Sequence, residues 1–264
     1  MKIPIYQIDA FTDQLFGGNP AAVCPLENWL NDKVLQQIAI ENNQAETAFF
    51  VKIKSGQYQL RWFTPEFEMD LCGHATLASA FVIMNHIETA LDSITFETQS
   101  GTLKVQRTGK FYELDFPSRP AAPSSLPTII SDSLNIQPKE VWKARDYLLL
   151  YDSEEEIRNL KPNQQLLNQI NIDPGGIIVT ARADRSEVDF VSRLFVPQAT
   201  IFEDPVTGSA HCTLVPFWAE KLNKTHFSAH QISEREGQLI CELQNDRVLI
   251  KGKAIQYMEG VIEL

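Results

Sequence analysis

Arg61-Trp62-Phe63-Thr64-Pro65 returns as Arg193-Leu194-Phe195-Val196-Pro197, displaced by 132 positions in a chain of 264 residues. Each copy leads into a glycine-opened apolar segment, and the echo continues in order. Gly73-His74-Ala75 answers Gly208-Ser209-Ala210 at an offset of 135, and Ser100-Gly101-Thr102-Leu103 answers Glu236-Gly237-Gln238-Leu239 at 136. One R-x-F-x-P match carries little weight, but three ordered matches with a nearly constant displacement mark an internal duplication. Two like halves of about 130 residues, each near the usual domain size, are expected to face each other across one cleft.

The stretch Pro117-Ser118-Arg119-Pro120-Ala121-Ala122-Pro123-Ser124-Ser125-Leu126-Pro127 reads as the connector between them. Proline lacks the N–H and fixes φ, so this run holds neither helix nor interior strand. Before it, β-branched and aromatic content predicts strands over 3–11, 47–53, 57–63, 94–98, 103–107 and 112–116. After it the same signal covers 147–151, 176–181, 187–195, 239–243 and 248–251. Each half also carries one helix apolar on nearly every side, over 75–87 and over 210–222, the second containing Pro216. A helix of that kind must be buried, and its neighbours are strands. The economical fold is α+β: two pseudo-symmetric halves, each a β-barrel-like curved sheet around a central apolar helix. A helix over 32–40, with Val34, Leu35, Ile38 and Ala39 on one side, is expected to cover the sheet from outside.

With 23 Lys+Arg against 34 Asp+Glu the net charge is −11, which repels a phosphate backbone or an anionic membrane on average. Nucleic acid and membrane are therefore not expected as partners. The apolar run from Ala75 to Met84 stops at Asn85-His86, short of the roughly 20 residues that cross a bilayer. Cys24, Cys72, Cys212 and Cys241 show no C-x-x-C spacing, and Met1 to Asp13 lacks the apolar core of a secretory leader. Reduced thiols in the cytoplasm are the expectation. The acidic run Asp152-Ser153-Glu154-Glu155-Glu156 reads as a solvated helix start with no function assigned.

The candidate chemistry lies where the two apolar helices begin. In Asp70-Leu71-Cys72-Gly73-His74-Ala75-Thr76, Gly73 lets the backbone approach a ligand, and the first helical N–H groups have no internal acceptor. Asp204-Pro205-Val206-Thr207-Gly208-Ser209-Ala210 is built the same way. Either motif alone reads as capping by Asp70, Thr76 or Thr207. Their paired occurrence points instead to two electropositive helix ends that hold one small anion such as a carboxylate.

The runs Asp9-Ala10-Phe11-Thr12, Phe16-Gly17-Gly18-Asn19-Pro20-Ala21-Ala22-Val23, Glu46-Thr47-Ala48-Phe49, Cys72-Gly73-His74-Ala75-Thr76 and Glu203-Asp204-Pro205-Val206-Thr207-Gly208-Ser209-Ala210 resemble the PhzF, or phenazine-biosynthesis-like, family along essentially the whole chain. The resemblance implies a diaminopimelate-epimerase-like fold, usually in a homodimer, with the first half over 1–118 joined by the C-terminal strand 254–264 and the second half over 119–253. It also implies a cofactor-free isomerase that moves a proton within an anionic cyclic amino acid. The family's glutamate falls on Glu46, its substrate-facing histidine on His74 and its second-half aspartate on Asp204. Gly73, Ala75, Gly208, Ser209 and Asn19 are carried over as substrate-binding residues.

Each of these residues also has a plainer reading. Alone, Glu46 at a strand start is a solvated carboxylate. As a proton shuttle it needs a pKa raised toward working pH, which walls such as Phe49, Phe63 and Phe11 would supply. His74 at a helix start is expected to be neutral, because the positive dipole end disfavours imidazolium. Asp204 caps a helix or orients a substrate amine or hydroxyl group, and the two roles can coexist. Gly17-Gly18-Asn19-Pro20 is a tight turn, which in the family lines the cleft. Thiol epimerases of the wider fold place a cysteine before the glycine in both halves, but Thr207 holds the second place here, so Cys72 reads as a small packing residue. His74, Cys72, His211 and Cys212 lack paired ligand spacing, and no metal is expected. The alternatives to isomerisation are an amino-acid racemase or epimerase, with Cys72 and Glu46 as its bases, and a non-catalytic metabolite-binding or interaction module.

Overall fold

The computed structural model describes residues 1–172 and 175–264. The chain divides into two compact units, one of Met1–Phe116 with Ile250–Leu264 and one of Pro117–Leu249.

The first unit runs β1 (Lys2–Ala10), β2 (Asn19–Leu26), α1 (Asp32–Asn42), β3 (Glu46–Lys54), β4 (Gln57–Phe63), β5 (Glu68–Met69), α2 (Gly73–Val82), β6 (Ser93–Thr98), β7 (Gly101–Thr108) and β8 (Phe111–Pro117). The second runs β9 (Ala122–Pro123), α3 (Thr128–Ser133), β10 (Glu140–Lys143), β11 (Tyr147–Leu150), α4 (Glu154–Asn159), α5 (Gln164–Leu167), β12 (Ile177–Arg182), β13 (Phe190–Phe195), β14 (Glu203–Asp204), α6 (Gly208–Leu222), β15 (His226–Gln231), β16 (Gly237–Gln244) and β17 (Arg247–Gly252), before β18 (Ala254–Glu263) returns to pair with β1. Strand order in the first unit is β1-β2-β3-β4-β6-β7, with neighbours antiparallel, parallel, antiparallel, parallel and antiparallel. In the second it is β10-β11-β12-β13-β15-β16 with the same succession of senses. The duplication is thus one of topology: α2 makes the crossover between parallel β4 and β6, and α6 makes it between β13 and β15.

The repeated R-x-F-x-P motif has a mechanical role in each unit. Arg61 clasps Glu68 through two bonds of 2.7 and 2.6 Å, and its guanidinium lies 5.1 Å from the centre of the Phe63 ring. Arg193 clasps Glu203 at 2.7 and 2.8 Å and lies 4.9 Å from the Phe195 ring centre. Such forked, ring-stacked pairs need arginine and not lysine. They fasten the short strands β5 and β14, which feed the helix starts. A serine completes each fastening: Ser100 Oγ donates to the Asp70 carbonyl at 2.8 Å, and Ser233 Oγ to that of Pro205 at 2.7 Å.

All of α2 except Phe81 is buried, as an all-round apolar helix requires, with β1, β2 and β3 packed on it. It ends earlier than its apolar run, giving way to a single π turn over Ile83–Ile87. A Cβ at Gly252 would stand 2.3 Å from Cδ1 of Phe11 and 3.2 Å from Cδ1 of Leu77, so only glycine lets β17 pass so close to α2. On the outer face, Leu35 and Ile38 of α1 are buried with Phe49 and Phe63 in one cluster, and Val34 packs against it.

The structure corrects three expectations. The turn ends at Gly18, whose φ of +64° serves it, while Asn19 and Pro20 already belong to β2. Prolines at 20 and 25 hid this strand, just as polar composition hid β10 and β15. Glu154 in the acidic run is not solvated: it is 5 % exposed and paired with Arg158 at 2.7 Å, while Ser153 caps the helix by accepting from the Glu156 N–H.

Candidate active site

Three strand and helix beginnings converge in the first unit. β2 and β3 run parallel with Ala21 opposite Glu46, so Asn19 and Glu46 both sit where their strands start, beside the start of α2. Oε2 of Glu46 lies 3.1 Å from Nε2 of His74, with side chains 15 % and 5 % exposed. The other ring nitrogen, Nδ1, faces the Asn19 side-chain amide at 3.2 Å and Cys72 Sγ at 3.5 Å. Cys72 occupies the cap position of α2 and its side chain makes no capping bond. Thr76 does not cap either, since its hydroxyl donates backward to the Cys72 carbonyl. Apart from the Ala75 N–H, which acts on the Cys72 sulfur, the first N–H groups of α2 are therefore left without a side-chain acceptor.

The expectation of a neutral His74 is reversed. Burial opposes its charge, but Cys72 and then Glu46 more than offset that, and its pKa is raised well above the ordinary value. The dipole argument failed because side chains in direct contact outweigh a diffuse helix end. Burial and the Glu46 charge push the Cys72 thiol up, partly offset by His74 and the Ala75 N–H.

Phe49 and Phe63 do not form walls around Glu46. Side chains alternate along β3, so Phe49, three residues on, points to the opposite face, where it meets Phe63 edge-on at 5.7 Å beneath α1. Phe11 is fully buried against Gly252. Ala75 is also fully buried, so it can offer only backbone, and Asn19, likewise buried, faces His74.

In the second unit, Asp204 Oδ2 accepts the Thr207 hydroxyl at 2.5 Å, so that hydroxyl does not cap α6, and no side chain does. Gln231, 1 % exposed, ties this turn together: its Oε1 accepts the Thr207 N–H at 2.8 Å, and its Nε2 donates to the Asp204 carbonyl at 2.7 Å. Gly208 and Ser209 follow at the helix start. Arg145 donates to Ser209 Oγ at 3.2 Å, bringing a positive charge to that position. His211 donates from Nδ1 to the Thr207 carbonyl at 2.8 Å, and burial pushes its pKa down to about 4. No local pattern announces Gln231 or Arg145 in the sequence. Nor does the repeat's offset reveal Ser233, since it sets Ser100 against Glu236.

Among the described residues one group could offer three ligands to a metal: Glu46, Cys72 and His74, with donor atoms within 4.8 Å of one another. His211 and Cys212 are replaced in it by Glu46. Within this compact group Cys72 Sγ lies nearest Nδ1 and Glu46 Oε2 nearest Nε2 of the same ring.

A family model described as phenazine biosynthesis-like protein matches residues 8–260. A Pseudomonas aeruginosa protein named as an uncharacterized isomerase is 48 % identical over 264 residues, covering all of both chains. A solved PhzF-family structure from Enterococcus faecalis superposes with a TM-score of 0.94 at 45 % identity, again over the whole of both chains. A hydroxyproline epimerase from Agrobacterium vitis shares the fold, with a TM-score of 0.62 at 11 % identity over 99 % of this chain and 92 % of its own.

Proposed function

Because the chain belongs to the phenazine biosynthesis-like family and is an isomerase, we propose that it moves a proton within a small anionic, cyclic amino-carboxylic substrate, with Glu46 as the proton carrier. The observation that carries this reading is the Glu46–His74 contact of 3.1 Å at a helix start whose N–H groups have no side-chain cap. As a carboxylate, Glu46 takes a proton from carbon and returns it at another position. His74 steadies the charge on Glu46 through Nε2. The N–H groups at the start of α2, that of Gly73 first, hold the substrate carboxylate, where their fixed dipoles are most effective away from water. Asp204, oriented by Thr207, takes a substrate amine or hydroxyl group.

On this reading the enzyme needs no cofactor and works as a homodimer, as the family resemblance implies, and it works in the cytoplasm, the compartment that suits its sparse, reduced cysteines. No helix among the described residues is long and apolar enough to cross a membrane. The test is incubation in D2O with a panel of small cyclic and amino carboxylic acids, followed by NMR. Deuterium entering with migration of a double bond supports isomerisation, and no exchange into any acid by active protein counts against it. Epimerisation is the second reading, favoured by Cys72 Sγ at 3.5 Å from His74. Its signature is deuterium at one carbon with inversion.

A further inference from the structure

Glu46 and Cys72 address opposite nitrogens of one imidazole. Oε2 of Glu46 is 3.1 Å from His74 Nε2, and Cys72 Sγ is 3.5 Å from Nδ1 of the same ring. The three side chains form a compact group, with donor atoms within 4.8 Å of one another, and it is largely shut off from water, with Cys72 6 % and His74 4 % exposed. The neighbours that face it are the Asn19 amide, 3.2 Å from Nδ1, and the Ala75 N–H, which acts on the sulfur. The sulfur also sits at the N-terminal end of α2, where the helix dipole favours negative charge. Burial leads at Cys24 and Cys212 as well, pushing them up to about 12 and about 11, while at Cys72 it is joined by the Glu46 charge and partly offset by His74 and the Ala75 N–H.

We propose that Cys72 holds the reserve proton of Glu46 and delivers it through His74. The step conserves protons. With the ring cationic between a thiolate and a carboxylate, the proton on Nε2 crosses to Glu46 and leaves a thiolate, a neutral imidazole and a carboxylic acid, whereas the proton on Nδ1 crossing to sulfur leaves a thiol, a neutral imidazole and the Glu46 carboxylate. The cationic ring between two anions is the state from which both transfers run, and it is the state that Cys72 and Glu46 favour at His74 against the cost of burial. Glu46 then meets substrate as a base in one state and as an acid in the other, without drawing a proton from bulk water. The inference rests on the reading of Glu46 as the proton carrier, and it makes Cys72 a positioning residue that acts through His74.

The test needs no substrate. Alkylation of Cys72 by iodoacetamide is followed against pH by peptide mass, in the wild type, Glu46→Gln and His74→Asn, with Cys72→Ser as the blank. The pH midpoint reports ionisation whatever the access, and 13Cβ NMR of cysteine-labelled protein reads the same midpoint where the reagent does not reach. Removing the Glu46 charge should lower the midpoint by about one pH unit or more, and removing the imidazole should raise it by a similar amount. A midpoint unmoved in both variants overturns the relay. Loss of D2O exchange in Glu46→Gln with an unmoved midpoint discards the relay and keeps the proton carrier. A moved midpoint with full exchange in Glu46→Gln keeps the coupling and discards the carrier.

Discussion

Nε2 of His74 stands 3.1 Å from Oε2 of Glu46, on side chains 5 % and 15 % exposed. A contact this dry helps tie the protonation of His74 to folding. Because the folded pKa of His74 is raised, its stabilising contribution is complete below the unfolded value near 6.5 and is lost as pH rises through the folded value. The melting temperature of wild type should therefore exceed that of His74→Asn most at mildly acidic pH, with the gap closing in alkali. A gap that widens with pH contradicts the assignment.

His211 acts with the opposite sign. Its pKa is pushed down to about 4, so the unfolded chain binds its proton more readily, and stability present above pH 6.5 is lost as pH falls toward 4. The difference between these values corresponds to about 3 kcal/mol. Chemical denaturation at pH 7 and pH 4.5 should show a smaller acid loss in His211→Gln than in wild type.

The arginine clasps predict equivalent stability losses in the two units. The Arg193 and Glu203 side chains are 13 % and 23 % exposed, so Arg193→Met, which strands the glutamate, should cost roughly 2 kcal/mol in urea unfolding. Arg193→Met with Glu203→Leu should recover most of that loss. Equal instability of the single and double variants would show that the clasp is not the cause.

Gly252→Ala drives a methyl group into Phe11, 2.3 Å away, and should cost about 1 to 3 kcal/mol. Adding Phe11→Leu should relieve part of it. Thermal melts of the three variants decide the matter, and an unchanged melting temperature for Gly252→Ala would contradict the close approach.

Much of the fold was legible because duplication is visible without side-chain detail. The offset between Arg61 and Arg193 announced two copies, and the all-round apolar character of 75–87 and 210–222 announced buried helices. What stayed hidden depended on partners distant in sequence. β2 was masked by Pro20 and Pro25, although its position between β1 and β3 makes it a strand. Gln231 is an ordinary glutamine until the fold sets it against Thr207. Cys72 read as packing because sequence spacing cannot show that its sulfur and the Glu46 carboxyl reach different nitrogens of one ring. The walls assigned to Phe49 and Phe63 failed on strand alternation, which is legible once the strand's inner face is known.

The central claim is that the Glu46 carboxyl carries the migrating proton. Its most direct test is D2O exchange, read by NMR, for wild type and Glu46→Gln against the panel acid that wild type accepts. Glu46→Gln should fold normally, still bind the acid and lose exchange by about 10² or more. Exchange at the wild-type rate in the folded variant would contradict the account.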